Sequence, residues 1–287
     1  MAFHAGPADV GVMTSLRAMQ RDGLIEHSGP LQSVHRLDRV TSGLLMVAKS
    51  PAAASEVSRL LRERRIHKYY IGLSSRPPSK KQGTVQGDMA RSRRSQWMLL
   101  RSSERPAITR FISSPLATDP SRRSTKLRAF LLKPVTGRTH QLRVAMKALG
   151  APVLGDELYA AAKAARLEDR TYLHASALRL PGKTFPMVSW GDHKHASFAL
   201  AFGYQSTTYT HCTGSVTISG GEDPIEVICP PSDGVEFLTR EFRDLWDSWF
   251  MPDCLSKPSD VWFAHTAVQS SSPKSWHSDR SAISSTD

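Results

Sequence analysis

Apolar and polar residues alternate along this chain in two rhythms. In GLLMVAK (43–49), HKYYIGL (67–73), KLRAFLLKP (126–134), TYLHASALRL (171–180) and PIEVICP (224–230), aliphatic and aromatic residues run in short blocks bounded by turn formers, which predicts strands. SVHRL (33–37) reads as one more strand, joined to GLLMVAK by a turn. Elsewhere the apolar residues recur every three to four positions. Ser50 as N-cap and Pro51 at the first helical position predict a helix through AAASEVSRLLRERR, with Val57, Leu60 and Leu61 on its apolar face. TGRTHQLRVAMKALG (136–150) predicts a second helix, capped near Thr139 and stopped by Gly150. EFLTREFRDLWDSWF (236–250) predicts a third, with Trp246 and Trp249 on its core side, and Met13–Arg21 a short one.

Strands outnumber helices and do not alternate strictly with them. That order predicts an α+β fold, with a mixed or antiparallel β-sheet and flanking helices, and not a doubly wound parallel sheet. Residues 1–30 form a weakly patterned N-terminal segment, and one domain is expected over 31–252. Between 74 and 128 the chain carries Pro-Pro, Lys-Lys and Arg-Ser pairs, which predict short strands such as WMLL and AITRFI joined by basic loops. The pattern weakens over 184–223, which reads as an insertion, and the Ser-rich stretch 253–287 reads as a disordered tail.

Charge adds a partner. The 287 residues carry a formal net charge of +12. From Arg59 to Lys147 there are 22 Lys or Arg against four acids, whereas from residue 201 onward 12 acids face five basic residues. A basic middle of this kind favours a polyanion, nucleic acid first. Three cysteines without a CxxC spacing favour a reducing compartment. The chain has no asparagine and no apolar run near the ~20 residues of a membrane span. The expected setting is therefore intracellular, in the cytoplasm or, as an open alternative, a mitochondrion or plastid. A monomer without membrane contact is expected. His193, His195 and Cys212 make only an incomplete ligand set, so no metal is expected.

Three stretches carry candidate chemistry. In HRLDRVTSGLL (35–45), Asp38 stands alone between an apolar-basic run and a Thr-Ser-Gly turn. Its carboxylate either caps that turn or acts as nucleophile, acid or base in a cleft. In GRTHQLR (137–143), His140 and Arg143 are three residues apart, a spacing that shares one helix face. They form either a solvated basic face or a guanidinium presented to an anion; beside Asp38, Arg143 would keep the carboxylate ionised and aimed. In HKYYIGL, strand alternation puts Tyr69 and Tyr70 on opposite faces, so one ring faces any given cleft.

HRLDRVTSGLL, KYY, GRTHQLR, LGAPVLGDELY and YLHA resemble, in order and spacing, the strings of RluA-type RNA pseudouridine synthases. The resemblance covers roughly residues 31–180, and PIEVICPP with the following helix is similar to the family's C-terminal strand and helix. It implies a catalytic domain of pseudouridine-synthase type and an isomerase of uridines in tRNA or rRNA that needs no cofactor. It further implies that Asp38 is the catalytic carboxylate, Tyr70 the active-site tyrosine and Arg143 the basic partner of the aspartate. His35, Arg36 and Thr41 fall in the surrounding loop, Arg138 and His140 in the second string, and Leu173 at an apolar position lining the pocket. Arg62, Arg64, Arg65, Arg91, Arg93 and Arg94 are expected to bind phosphates without reading sequence. The chain departs from the family at its start, which lacks a Lys-Pro-x-Gly stretch, and at Ala145 and Ala151, where histidines are usual. The rival readings are an RNA-binding relative without turnover and a basic ribosome-associated structural protein.

Overall fold

A computed structural model describes residues 11–25, 27–117, 120–121, 125–181, 198–201 and 225–250. The elements run α1 (Val12–Arg21), β1 (Gln32–Ser33), β2 (Ser42–Gly43), β3 (Leu45–Ala48), α2 (Pro51–Arg62), β4 (His67–Ser74), β5 (Gln82–Gly87), β6 (Met89–Arg91) and β7 (Trp97–Leu99). They continue β8 (Ala107–Leu116), β9 (Leu127–Pro134), α3 (Gln141–Ala148), α4 (Ala162–Ala165), β10 (Leu173–Leu180), β11 (Phe198–Ala201), β12 (Ile225–Ile228) and α5 (Arg240–Phe250).

Seven strands form the main sheet, in the order β12-β10-β4-β9-β8-β5, with β2 joined to β10. Its ladders are antiparallel except for β2 against β10, where Ser42 and Gly43 run parallel to His174 and Ala175. The sheet is therefore mixed, as the order of strands and helices predicts. A second sheet, β1-β3-β11, joins two early strands to Phe198–Ala201, and β6 and β7 pair as a hairpin.

The central strands are apolar almost throughout because both faces of the sheet are covered. Tyr70, Phe130, Leu132 and Leu173 share one core with Val57 and Leu60 of α2 and Leu142 and Met146 of α3. Tyr69, Ile71, Leu131 and Tyr172 share the other with Phe242, Trp246 and Phe250 of α5. Fully burying a side chain of this size contributes about 1.5–3 kcal/mol, so α5 is fixed by its apolar stripe. Alternation along β4 is what sends the two tyrosines to opposite cores.

Several expectations are corrected. Strand pairing at SVHRL stops at Ser33, because the His35 ring leaves the ladder to accept the Met46 N–H at 2.8 Å. α2 begins as expected, with the Ala53 N–H donating to Ser50 Oγ at 3.1 Å. The cap position of α3 is His140, next to Thr139; its backbone is left-handed at φ 57° and its side chain makes no cap bond. Four residues of the expected insertion, Phe198–Ala201, pair with β3. The remainder of that insertion, the expected tail at 253–287, and His193, His195 and Cys212 lie outside the described residues.

Candidate active site

One end of the main sheet opens into a cleft of about 220 Å³. It is lined by His35, Arg36, Leu37, Asp38 and Thr41 from the loop before β2, Lys68 and Tyr70 from β4, and Leu173 from β10. Pro134, Thr136, Gly137, Arg138 and Thr139 from the β9–α3 loop, with Gln141 and Leu142 of α3, complete it. Pockets for drug-sized ligands are roughly 300–1,000 Å³, so this cavity is a small one.

The turn that carries Asp38 is closed by main chain, with the Thr41 N–H donating to the Asp38 carbonyl at 2.9 Å. Among the described residues, the side-chain carboxylate takes no part in that turn. It lies 3.8 Å from Arg143 Nη1, with 18% of the side chain exposed to the cleft. Arg143 itself is buried and held elsewhere: Nε and Nη2 each donate to Asp156 at 2.7 Å. Asp156 is 1% exposed. Burial alone pulls the Arg143 pKa down, but the bonds to Asp156 and the charges of Asp156 and Asp38 outweigh it and hold the group above its ordinary value. α3 is thus no solvated basic face; Gln141 through Met146 are all buried.

Tyr70 is buried on the cleft floor. Burial, reinforced by the Asp38 charge, pushes its phenol above the ordinary range, so it stays protonated. Leu173 lies beside it in the same core. Burial pulls Lys68 below its usual value. His35 falls to about 3, through burial first and then the Lys68 charge, and is neutral at pH 7. Its bond to Met46 N–H therefore ties the Asp38 loop to β3. Gln141 organises the opposite wall: its Oε1 accepts from Thr136 Oγ1 (2.7 Å) and the Arg138 N–H (3.0 Å), while its Nε2 donates to the Ile108 carbonyl and Thr109 Oγ1 (2.9 Å each).

The residues singled out in the sequence thus divide. Asp38, Tyr70, His35, Arg36, Thr41, Arg138 and Leu173 meet in the cleft, and Arg143 reaches it through Asp38. His140 stands just behind, its Nδ1 2.8 Å from the Tyr159 hydroxyl. Arg62, Arg64 and Arg65 are exposed around the end of α2 and do not line the cleft. Sequence reading missed Asp156, Lys68, Gln141 and Tyr159. Asp156 left a trace, the Gly-Asp pair of GDELY: Gly155 turns at φ +73°, and a Cβ there would lie 1.8 Å from the Arg170 carbonyl oxygen.

Comparison with known proteins bears on this arrangement. Residues 13–148 match the family model described as RNA pseudouridylate synthase. An uncharacterized RNA pseudouridine synthase of Haemophilus influenzae is 53% identical over 145 residues, 50% of this chain and 61% of that one. The dual-specificity RNA pseudouridine synthase RluA of Pasteurella multocida is 37% identical over 155 residues, 53% of this chain and 68% of its own. The chain belongs to the RluA-type RNA pseudouridine synthase family. The RluA protein of Escherichia coli K12 is 38% identical over 151 residues, covering 52% of this chain and 66% of its own length. The chain thus spans somewhat under two thirds of several RluA-type relatives it matches. The structure of human RNA pseudouridylate synthase domain containing 4, 24% identical, superposes with a TM-score of 0.50 over 63% of this chain and 77% of that one, a likeness of fold. The RluA-type strings coincide with the cleft: HRLD supplies its loop, KYY its floor and GRTHQLR its far wall.

Proposed function

We propose that this protein is an RNA pseudouridine synthase that isomerises uridine in structured RNA, tRNA or rRNA, with Asp38 as its catalytic carboxylate. The observation that carries the reading is the placement of Asp38 in a small cleft that it shares with the buried Tyr70, 3.8 Å from a buried arginine.

The reaction breaks the N1–C1′ bond of uridine, turns the base and forms the C5–C1′ bond, with the C5 hydrogen lost to solvent as N1 gains one. Nothing external is consumed. The uracil must first leave its stack, at a cost of a few kcal/mol, and stacking on Tyr70 offsets about 1–3 kcal/mol of that. The Asp38 carboxylate then either attacks C1′ or removes a ribose proton to give a glycal; both routes need it ionised, and Arg143 supplies the compensating charge. Arg36 and Arg138 at the rim, and the exposed Arg62, Arg64, Arg65, Arg91, Arg93 and Arg94, position the phosphates.

The test is tritium release from tRNA and rRNA transcripts labelled at uridine C5. The wild type is expected to release tritium, and Asp38→Ala to release none while binding the same RNA with nearly unchanged affinity. Binding without release by the wild type would instead identify an RNA-binding relative, and an Asp38→Ala protein as active as the parent would overturn the assignment of that carboxylate.

A further inference from the structure

The surroundings of the Arg143 guanidinium engage its three nitrogens and one of its faces. Nε and Nη2 hold Asp156 at 2.7 Å each. Nη1 points to Asp38 at 3.8 Å. Its plane packs on the ring of Tyr159, with Cζ 4.9 Å from the ring centroid. Lys147 Nζ lies 5.5 Å from the same ring. A guanidinium pinned along one edge can still rock about that edge, which swings Nη1 toward or away from the cleft. The Tyr159 ring is what restrains this rocking.

The Tyr159 hydroxyl is fixed in turn. It accepts the Trp97 main-chain N–H at 2.8 Å and lies 2.8 Å from His140 Nδ1. The direction of the bond to His140 follows the tautomer of that ring. One residue earlier, the Leu158 carbonyl accepts from Gln96 Nε2 at 2.7 Å. The segment gripping Arg143 is therefore bonded to the β6–β7 hairpin, which carries exposed Arg91 at the end of β6 and exposed Arg93 and Arg94 in its turn. Arg94 and Ser95 in that turn hold left-handed backbones, at φ 54° and 59°.

We propose that Tyr159 is a positioning residue of the reaction: its ring is the seat that aims Arg143 at Asp38, and its hydroxyl locks that seat to the arginine-rich hairpin. The proposal rests on the pseudouridine synthase reading. The 3.8 Å gap exceeds a charge-assisted hydrogen bond by about 1 Å, and a misplacement of about 1 Å can change a rate by roughly a hundredfold.

The experiment compares Tyr159→Phe, which keeps the ring and loses the hydroxyl, with Tyr159→Leu, which loses both. In single-turnover tritium release at saturating RNA, Phe is expected to slow the reaction about tenfold and Leu about a hundredfold, with RNA affinity within threefold of wild type. A residue that only fills space would lower thermal stability and leave the saturating rate alone; that result, or a loss confined to RNA affinity, overturns the proposal. Should the Leu variant not fold, the Phe variant decides alone by the same criteria. A second measurement does not depend on turnover: rotation of the Arg143 guanidinium, read by NMR as exchange between its Nη signals, is expected to speed up in both variants and more in Leu. An inactive wild type would sink the enzyme reading, and the NMR comparison would still decide the role of Tyr159, since unchanged exchange rules out the seat.

Discussion

Arg143 and Arg170 are both almost sealed from solvent, with 5% and 1% of their side chains exposed, yet their contacts end in different places. Arg143 grips the equally buried Asp156 and keeps Nη1 for a carboxylate in the cleft. Arg170 donates to the side chain and carbonyl of Asp233, to the Thr171 carbonyl and to Ser42 Oγ. From there the chain runs inward. Ser42 Oγ is 2.8 Å from His174 Nδ1, and His174 Nε2 is 2.9 Å from the Cys229 carbonyl. A carbonyl only accepts, so Nε2 carries the proton and the Ser42 hydroxyl donates to Nδ1. Through Ser42 and His174 the Arg170 network thus reaches main chain at Cys229, whereas the Arg143 network reaches a carboxylate in the cleft. Burial of a cation does not by itself separate scaffold from chemistry; where the last hydrogen-bonding group faces does.

Four measurements probe this contrast. Arg143→Met is expected to do the most: tritium release should fall at least a thousandfold, and loss of the cation beside the buried Asp156 should destabilise the fold by roughly 3–5 kcal/mol in urea unfolding. Activity within a few-fold of wild type would place the working charge elsewhere. Arg170→Met should cost about 3 kcal/mol, less because Asp233 stays 44% exposed. Its turnover, measured where the variant remains folded, should stay within a few-fold of wild type. A large loss of turnover at full folding would erase the distinction between the two arginines.

The third concerns pH. Burial drops His174 and His35 to about 3. Both therefore stay neutral when folded and take up protons when unfolded below about pH 6.5. With more protons bound by the unfolded chain, stability is complete above that value and is lost as pH falls toward 3. The expected slope in urea titrations is about 1 kcal/mol per histidine for each pH unit below 6.5, and His174→Gln should reduce it by about half. A slope unchanged in that variant would remove His174 from the account. The smallest effect belongs to the surface. Alanine at Arg62, Arg64 or Arg65 should weaken RNA binding a few-fold and lower the salt slope by roughly 0.7–0.9 for each phosphate left without its cation. Saturating rates should not change.

Much of the scaffold is legible in residue order. β4, β9 and β10 are buried on both faces, so their apolar runs stand out, and α2 carries its start in Ser50-Pro51. β5 is hidden because Gly83, Gly87 and alternating polar residues make an edge strand resemble a loop. β11 lies in a stretch whose pattern is weak, and its place comes from pairing with β3. The α3 start falls beside Thr139 as expected, but at His140, whose left-handed backbone no capping propensity announces. Within the cleft, Asp38, Tyr70 and Arg143 are legible because each sits in a distinctive string. Asp156 is not, since its role is a contact across 13 residues that no local spacing encodes. Tyr159 escapes for the same reason: its partners Trp97 and His140 come from two other segments.

Gly43 has a bearing on anyone wishing to rebuild this protein. Its backbone sits at φ +99° against β10, and a Cβ there would come within 2.2 Å of the Ala175 carbonyl oxygen. Randomising position 43 should return glycine alone. Grafting the Asp38 loop onto a foreign scaffold will demand that the neighbouring strand travel with it.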